Sequence, residues 1–427
     1  LPESNTTVFS TSAHVIQVFL ERESGSIIRW VSPSDNVQWL GVGVAERFSN
    51  ASDAVATIKR MTELSPEYKG EIRCFVALPC NTNLWDQNKN WVLPRLVLKK
   101  SNDKWEGIEI LSGEKPEDDH LIHDIYPTQL IDGSNIDSIN AGENRQSLNP
   151  LLVTKLPTPQ IWCNQVDQIK KHIADKFIQK AVLSRQEYWK TEKNNLYHQV
   201  FENMCQNDND CFQFQFPTKS GSFIGASPET LFRLEGRTIS VDSLAGTRGR
   251  SADSTKDKLL CSELINSKKD IGEHAIVTKS ILKRLKLLCK RVENPTELTV
   301  KKFNSVQHLF RRVTGELHSG IMVDEILMAL HPTPAIVGEP RSESYKILKQ
   351  IGEPERGLYA GPVGWVDDEN AEFAVGIRSA IIEEKKFTLF AGAGIVKDSD
   401  PQSEWEETTL KMQVMWNNIV GVQNDPA

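Results

Sequence analysis

Two hydrophobic rhythms run along the chain. In the N-terminal part, residues 8–21, 27–31, 74–78 and 91–99 carry the pattern of strands, and 39–48 continues it around Gly41-Val42-Gly43. That Gly-x-Gly lacks the third glycine of a dinucleotide fingerprint, so it reads as a strand with two small residues. Residues 133–150 are polar and rich in Gly, Asn and Ser, which marks a loop or linker. Beyond them, 161–176 has helical spacing. KAVLSR at 180–185, an apolar run with a charge at each end, reads as a buried strand. Residues 212–216, 222–226 and 239–244 are strand-like.

The spacing predicts one long helical stretch over 255–289, with Leu260, Leu264, Ile271, Ala275 and Leu282 on its buried face. A helix over 323–330 then leads into the stiff turn His331-Pro332-Thr333-Pro334. Strands follow over 358–366, 372–383 and 387–396. The last two flank the polar turn Glu384-Lys385-Lys386 and predict a hairpin, and 404–416 forms the final helix. Strand runs mixed with separate long helices indicate an α+β class more than a regular βαβ alternation.

Composition narrows the function. A chain of 427 residues allows up to about three domains or one large one. Its net charge of −7 offers no basic field for nucleic acid, and no apolar run reaches the ~18 residues of a membrane span. Seven scattered cysteines, none in C-x-x-C spacing, argue against a disulfide framework and against zinc. Free thiols of that kind suit a reducing cytoplasm.

Candidate chemistry gathers in the C-terminal half. Glu404, Glu407 and Lys411 fall within about 60° of one another on the final helix, at about 100° per residue. Two carboxylates one turn apart suit a hard divalent cation such as Mg²⁺; the alternative is a solvated face with a Glu407–Lys411 ion pair. Asp270, Glu273 and His274 repeat the spacing on the long helical stretch. Glu273 borders the expected apolar face and needs a partner or a metal, whereas His274 fits a hydrogen-bonding role better than a ligand role.

Alternation from Phe373 puts Phe373, Val375 and Ile377 on one face and Ala374, Gly376, Arg378 and Ala380 on the other. A guanidinium among small residues has room to clamp a planar carboxylate, unless it reaches solvent from an edge. Gly392 and Gly394 on the partner strand mark either close approach to a ligand or, alternatively, a tight bend or close helix packing. Lys180, opening the KAVLSR strand, could serve as a base if desolvation lowers its pKa. Glu229, just after a strand, could be the matching acid.

Together these fragments resemble the chorismate-utilising enzymes: the isochorismate, salicylate, anthranilate and aminodeoxychorismate synthases. The resemblance is carried by KAVLSR (180–185), FIGASPETLFRL (223–234), LAGTRGR (244–250), SKKDIGEH (267–274), HPTPAIVGEP (331–340), GLYAGPVGW (357–365), EFAVGIRSA (372–380) and AGAGIVKDSDPQSEWEETTLK (391–411). It covers more than half the chain. Lys180 stands where isochorismate and salicylate synthases carry a water-activating lysine. Ala245 stands where aminodeoxychorismate synthases carry a nucleophilic lysine. HPTPA is the form typical of isochorismate synthases, which makes them the most similar branch. Asp270 departs from the Glu that relatives often have there.

The resemblance implies a large α+β domain of the anthranilate-synthase type, with central sheets flanked by helices. Residues 1–150 would be its N-terminal part and 151–427 the chorismate-binding catalytic region. It implies an isomerase that converts chorismate to isochorismate, adding water at C2 and losing the C4 hydroxyl. Lys180 would be the base and Glu229 the acid. Mg²⁺ would be held by Glu273 and Glu407, with Asp270 and Glu404 in support. Arg378, Tyr359 and the Gly392–Gly394 backbone would take the enolpyruvyl carboxylate, Lys411 would add charge near the ring carboxylate, and Thr247 and His331 would line the pocket. Chorismate is then the partner, with no glutaminase subunit, and the product feeds menaquinone, catechol siderophores or salicylate. The alternatives are a salicylate synthase, which goes on to eliminate pyruvate, and a non-catalytic chorismate-binding subunit.

Overall fold

The computed structural model describes residues 6–11, 27–33, 37–87, 89–101, 104–110, 148–194, 196–304 and 306–421. Among these, the strands form two antiparallel sheets. The larger has twelve strands. Its spatial order begins Thr6–Thr11, Lys104–Ile110, Leu96–Ser101, Gln38–Val42, Ile27–Val31 and Phe212–Pro217. It continues through Gly221–Ser227, Ser379–Glu383, Lys386–Ile395 and Lys180–Lys190 to Gly338–Glu339, with Leu151–Leu156 also paired to Lys180–Lys190. The smaller sheet has ten strands. It runs Cys289–Val292, Val306–Leu317, Thr238–Gly249, Thr230–Glu235, Asn370–Val375, Pro362–Val366, Cys74–Ala77, Trp91–Leu93 and Glu46–Phe48, with Thr299–Lys302 beside Val306–Leu317. N-terminal strands pair directly with later ones in both sheets, as in Val31 opposite Gln213 and Val76 opposite Gly364.

The helices are α1 (Ala51–Leu64), α2 (Pro159–Ala174), α3 (Tyr197–Asn207), α4 (Ser254–Asn266), α5 (Lys268–Leu288), α6 (Val323–Leu330), α7 (Arg341–Gln350) and α8 (Pro401–Val420). Helix α5 packs on the strand Thr238–Gly249 and α8 on Lys386–Ile395. Trp30, Phe75, Trp91, Phe214, Phe232 and Phe373 are fully buried in one apolar cluster drawn from both sheets. This is the α+β arrangement the pattern predicts. Among the described residues, no helix is long and apolar enough to cross a membrane.

Several predicted elements are corrected. The stretch 372–383 is not one strand. Asn370–Val375 belongs to the smaller sheet and Ser379–Glu383 to the larger, and the chain crosses between them at Gly376-Ile377-Arg378. The alternation continued across the break because both halves are buried. Gly221–Ser227 and Thr230–Glu235 make a second crossing through Pro228 and Glu229. The two crossings bond to each other: Ala226 N–H donates to the Arg378 carbonyl at 3.0 Å and Val375 N–H to the Glu229 carbonyl at 3.0 Å.

The long helical stretch is two helices, separated at Ser267, whose hydroxyl accepts from the Asp270 N–H and starts α5 afresh. The break resets the helical phase. Asp270, His274, Val277, Ile281 and Leu285 are buried, while Ile271, placed on the buried face by the spacing, is exposed. The strands expected over 39–48 and 91–99 each divide between the two sheets. The strand expected over 358–366 begins only at Pro362, after a turn. The hairpin around Glu384-Lys385-Lys386 forms, with Glu383 opposite Lys386. Residues 12–21 and 133–147 lie outside the described residues.

Candidate active site

The two crossings, the start of the strand Lys180–Lys190, and helices α5 and α8 converge on one cavity. Lys180, Glu229, Ala245, Gly246, Thr247, Glu273, His308, Ala335, Ile336, Tyr359, Arg378, Gly392, Gly394, Glu407 and Lys411 are among the residues lining it.

Lys180 is fully buried because its strand is covered on both faces. Its Nζ donates to Oε1 of Glu273 on α5 at 2.6 Å. Gly394, opposite Val182 in the ladder, makes room for this pair: a Cβ there would lie 2.5 Å from Glu273 Oε1 and 2.7 Å from Lys180 Cε. The close approach that the glycine permits is to protein side chains, one of them on α5, which is the close-packing reading of the sequence.

Lys411 on α8 pairs with Glu407 at 2.7 Å and donates to the Gly392 carbonyl at 2.9 Å. Burial raises the Glu407 carboxyl, but Lys411, with smaller contributions from Lys269 and His308, holds the group below its ordinary range. Glu404 and Asp270 do not line the cavity. Glu404 is buried against Lys269 at 2.9 Å, and Asp270 pairs with Arg248 at 2.9 Å beneath Gly246. Gly246 adopts φ +74 there, a conformation open to glycine, and a Cβ would press on the Asp270 side chain. Each of the four predicted carboxylates therefore has its own cation.

Glu229 is buried at the second crossing. Burial pushes its carboxyl up to about 7, against the smaller downward pull of Lys180, Lys411 and Arg378. Such a group is a proton donor poised near neutrality. Arg378 is buried at the first crossing with φ 50, a left-handed backbone that costs a non-glycine residue roughly 1–3 kcal/mol. Its Nη1 is buried without a hydrogen-bond partner. Burial draws its pKa below the ordinary range, partly offset by nearby acids. An orphaned, buried guanidinium edge is a site for a carboxylate. Tyr359 stacks on Phe390 with ring centroids 5.4 Å apart, and burial raises its phenol well above the usual range.

His331 is a correction. Its ring is buried outside the cavity, stacked on Trp85, with Nε2 3.1 Å from the Cys80 carbonyl. The proline-stiffened turn sends the histidine into the core, and Ala335 and Ile336, further along the same motif, form the wall instead. His274 is a buried hydrogen-bonding residue, with Nε2 3.0 Å from the Ser243 carbonyl; burial lowers its pKa to about 4.

Sequence reasoning missed His308. Its Nδ1 lies 3.0 Å from the Gly246 carbonyl and 3.1 Å from Thr247 Oγ1, and its Nε2 lies 3.4 Å from Arg378 Nη2. The available signal was alternation: His308 stands between Val306 and Phe310 on a predominantly buried stretch of strand.

The arrangement combines a buried amine, a buried carboxyl near neutrality, two lysine-paired carboxylates and a guanidinium awaiting an anion. The chain as a whole is similar to known proteins. Isochorismate synthase MenF of Bacillus subtilis (strain 168) is 34% identical over 261 residues, 61% of this chain and 55% of that protein. Isochorismate synthase MenF of Haemophilus influenzae is 31% identical over 325 residues, 75% of this chain and 73% of that protein. The chain spans about half the length of several curated relatives it matches. The solved structure of MenF, the menaquinone-specific isochorismate synthase from Escherichia coli, shares the fold with a TM-score of 0.80 at 22% identity, covering 98% of this chain and 95% of that one. With the pattern of that family matching residues 10–420, the chain belongs to the chorismate binding enzymes.

Proposed function

We propose that the protein is an isochorismate synthase, an isomerase acting on chorismate. The observation that carries this reading is the pairing of Lys180 and Glu229 in one cavity with Arg378: a buried amine, and a carboxyl held near neutrality, beside an unpartnered guanidinium. Net exchange of a ring hydroxyl needs a base for the incoming water and an acid for the departing hydroxyl. Lys180 takes a proton from water as its oxygen bonds to C2. The ring double bonds shift, the C4–O bond breaks, and Glu229 protonates the hydroxyl that leaves as water. Arg378 Nη1 holds the enolpyruvyl carboxylate with Tyr359 alongside, and Lys411 faces the ring carboxylate. Ala245 gives that wall no nucleophile, so no covalent enzyme–substrate bond forms there.

Mg²⁺ suits the donor set. Among the described residues, no three His, Cys, Asp or Glu side chains converge into a ready cage. Glu273 and Glu407 nevertheless line the same cavity, and two carboxylates with water and substrate oxygens are a usual Mg²⁺ environment. Asp270 and Glu404, each held by its own cation outside the cavity lining, would support the ion only through intervening water. Glu273 and Glu407 would hold the ion, which would supply positive charge for the ring carboxylate. To act as the base, Lys180 Nζ would have to give up both its contact with Glu273 and the proton it carries as that carboxylate's cation. Free thiols and a small-molecule substrate suit a reducing cytoplasm, and no glutaminase subunit is needed.

The test is to incubate the protein with chorismate and Mg²⁺ and identify the products. Isochorismate without pyruvate is expected. Pyruvate released in the absence of any lyase would mean a salicylate synthase, and unchanged chorismate would mean a binding subunit.

A further inference from the structure

Arg378 is buried, and its hydrogen-bonded neighbour is a histidine, not an acid. Among the described residues, no carboxylate forms an ion pair with it. The tautomer of His308 follows from its contacts. The Gly246 carbonyl, 3.0 Å from Nδ1, can only accept, so Nδ1 carries the proton. Nε2 is then an acceptor, matched to the Nη2 donor of Arg378. Burial lowers the imidazole to about 3, so it stays neutral across the working range. Thr247 Oγ1, 3.1 Å from Nδ1, fixes the ring from the same side, and Thr247 lies opposite His308 in the ladder.

We propose that His308 is a positioning residue that aims Arg378 at a substrate carboxylate while leaving its charge unspent. The inference rests on the proposed chorismate site and adds to it a reason for the residue type. An acid at 308 would satisfy the guanidinium in the empty protein and then repel the incoming anion. An apolar side chain would leave Nη2 without an acceptor and the guanidinium free to turn. A neutral acceptor does neither.

Three variants separate these effects: His308→Gln, a neutral acceptor of similar reach; His308→Glu, a charged one; and His308→Leu, with none. Chorismate binding by calorimetry, chorismate KM and kcat, and the melting temperature of the unliganded protein are the readouts. Gln is expected to bind chorismate within about threefold of the parent. Glu should weaken binding about thirtyfold or more, in proportion to a lost charge-assisted contact, with KM moving more than kcat. The unliganded Glu variant should melt above the Gln variant, because Arg378 has gained an ion pair; a histidine needed only for packing would not give that order. Should Glu fail to fold, Leu against Gln decides, with Leu expected to bind about tenfold more weakly.

Equal chorismate affinity in all the folded variants would overturn the proposal, as would an unliganded Glu variant melting no higher than Gln. Failure of the wild-type protein to make isochorismate would defeat the functional reading instead, and the melting comparison would still report on His308 and Arg378.

Discussion

Glu229→Gln tests what burial does to the acid of the site. Burial places the Glu229 carboxyl at about 7, against an ordinary 4.5. A displacement of that size corresponds to up to about 3.5 kcal/mol, at about 1.4 kcal/mol per pH unit. The sign follows from proton counting. Between pH 4.5 and 7 the folded protein keeps a proton that the unfolded chain has released. Stability from this group is therefore greatest at low pH and falls as pH rises toward and through 7. Glutamine cannot titrate and removes that slope. In urea unfolding without ligand, the variant should gain about 2–3 kcal/mol relative to the parent between pH 5 and pH 8. The protonated carboxyl is also the proposed acid, so turnover should drop about 10²–10⁴-fold starting from either chorismate or isochorismate. Parallel stability curves would refute the burial argument. A variant that still turns over would refute the acid role.

Other consequences follow from the same geometry. Arg378→Lys keeps the charge but loses the planar fork, and should cost about 1.5–3 kcal/mol in kcat/KM; a Lys variant with unchanged kinetics would show that the guanidinium is not the clamp. Lys180→Ala should abolish isochorismate formation while chorismate still binds in calorimetry, and near-normal product from it would defeat the mechanism. Gly394→Ala would put a methyl group 2.5 Å from Glu273 Oε1, so activity should fall with little loss of overall secondary structure by circular dichroism. Exhaustive chelation should remove turnover and added Mg²⁺ should restore it; full activity after chelation would sink the assignment of Glu273 and Glu407.

Much of the site was legible because chemistry and local pattern coincide there. Lys180 at the start of a buried strand, Glu407 and Lys411 one turn apart, and the glycines at 392 and 394 all reach the cavity from elements the pattern predicted. Periodicity failed wherever the chain changes sheet. The strand rhythm runs unbroken through 372–383, so nothing in it shows that Arg378 sits at a crossing with a left-handed backbone. Ser267 was similarly hidden inside a helical pattern, although Ser before Lys-Lys-Asp is a serviceable N-cap. The wrong helix face through Ile271 followed from missing that cap. His331 was misplaced because a motif resemblance carries a residue type and not the direction of its side chain. His308 escaped because a lone histidine in a strand has no partner until the ladder brings Thr247 opposite it.

The central claim is that water enters at C2 under Lys180 while the C4 hydroxyl leaves under Glu229. Running the reaction from chorismate in water enriched in heavy oxygen tests it most directly. The account predicts isochorismate carrying the solvent oxygen at C2, no pyruvate, and no labelled product from Lys180→Ala. Isochorismate with an unlabelled C2 hydroxyl would mean that the ring's own hydroxyl migrates, and would contradict it.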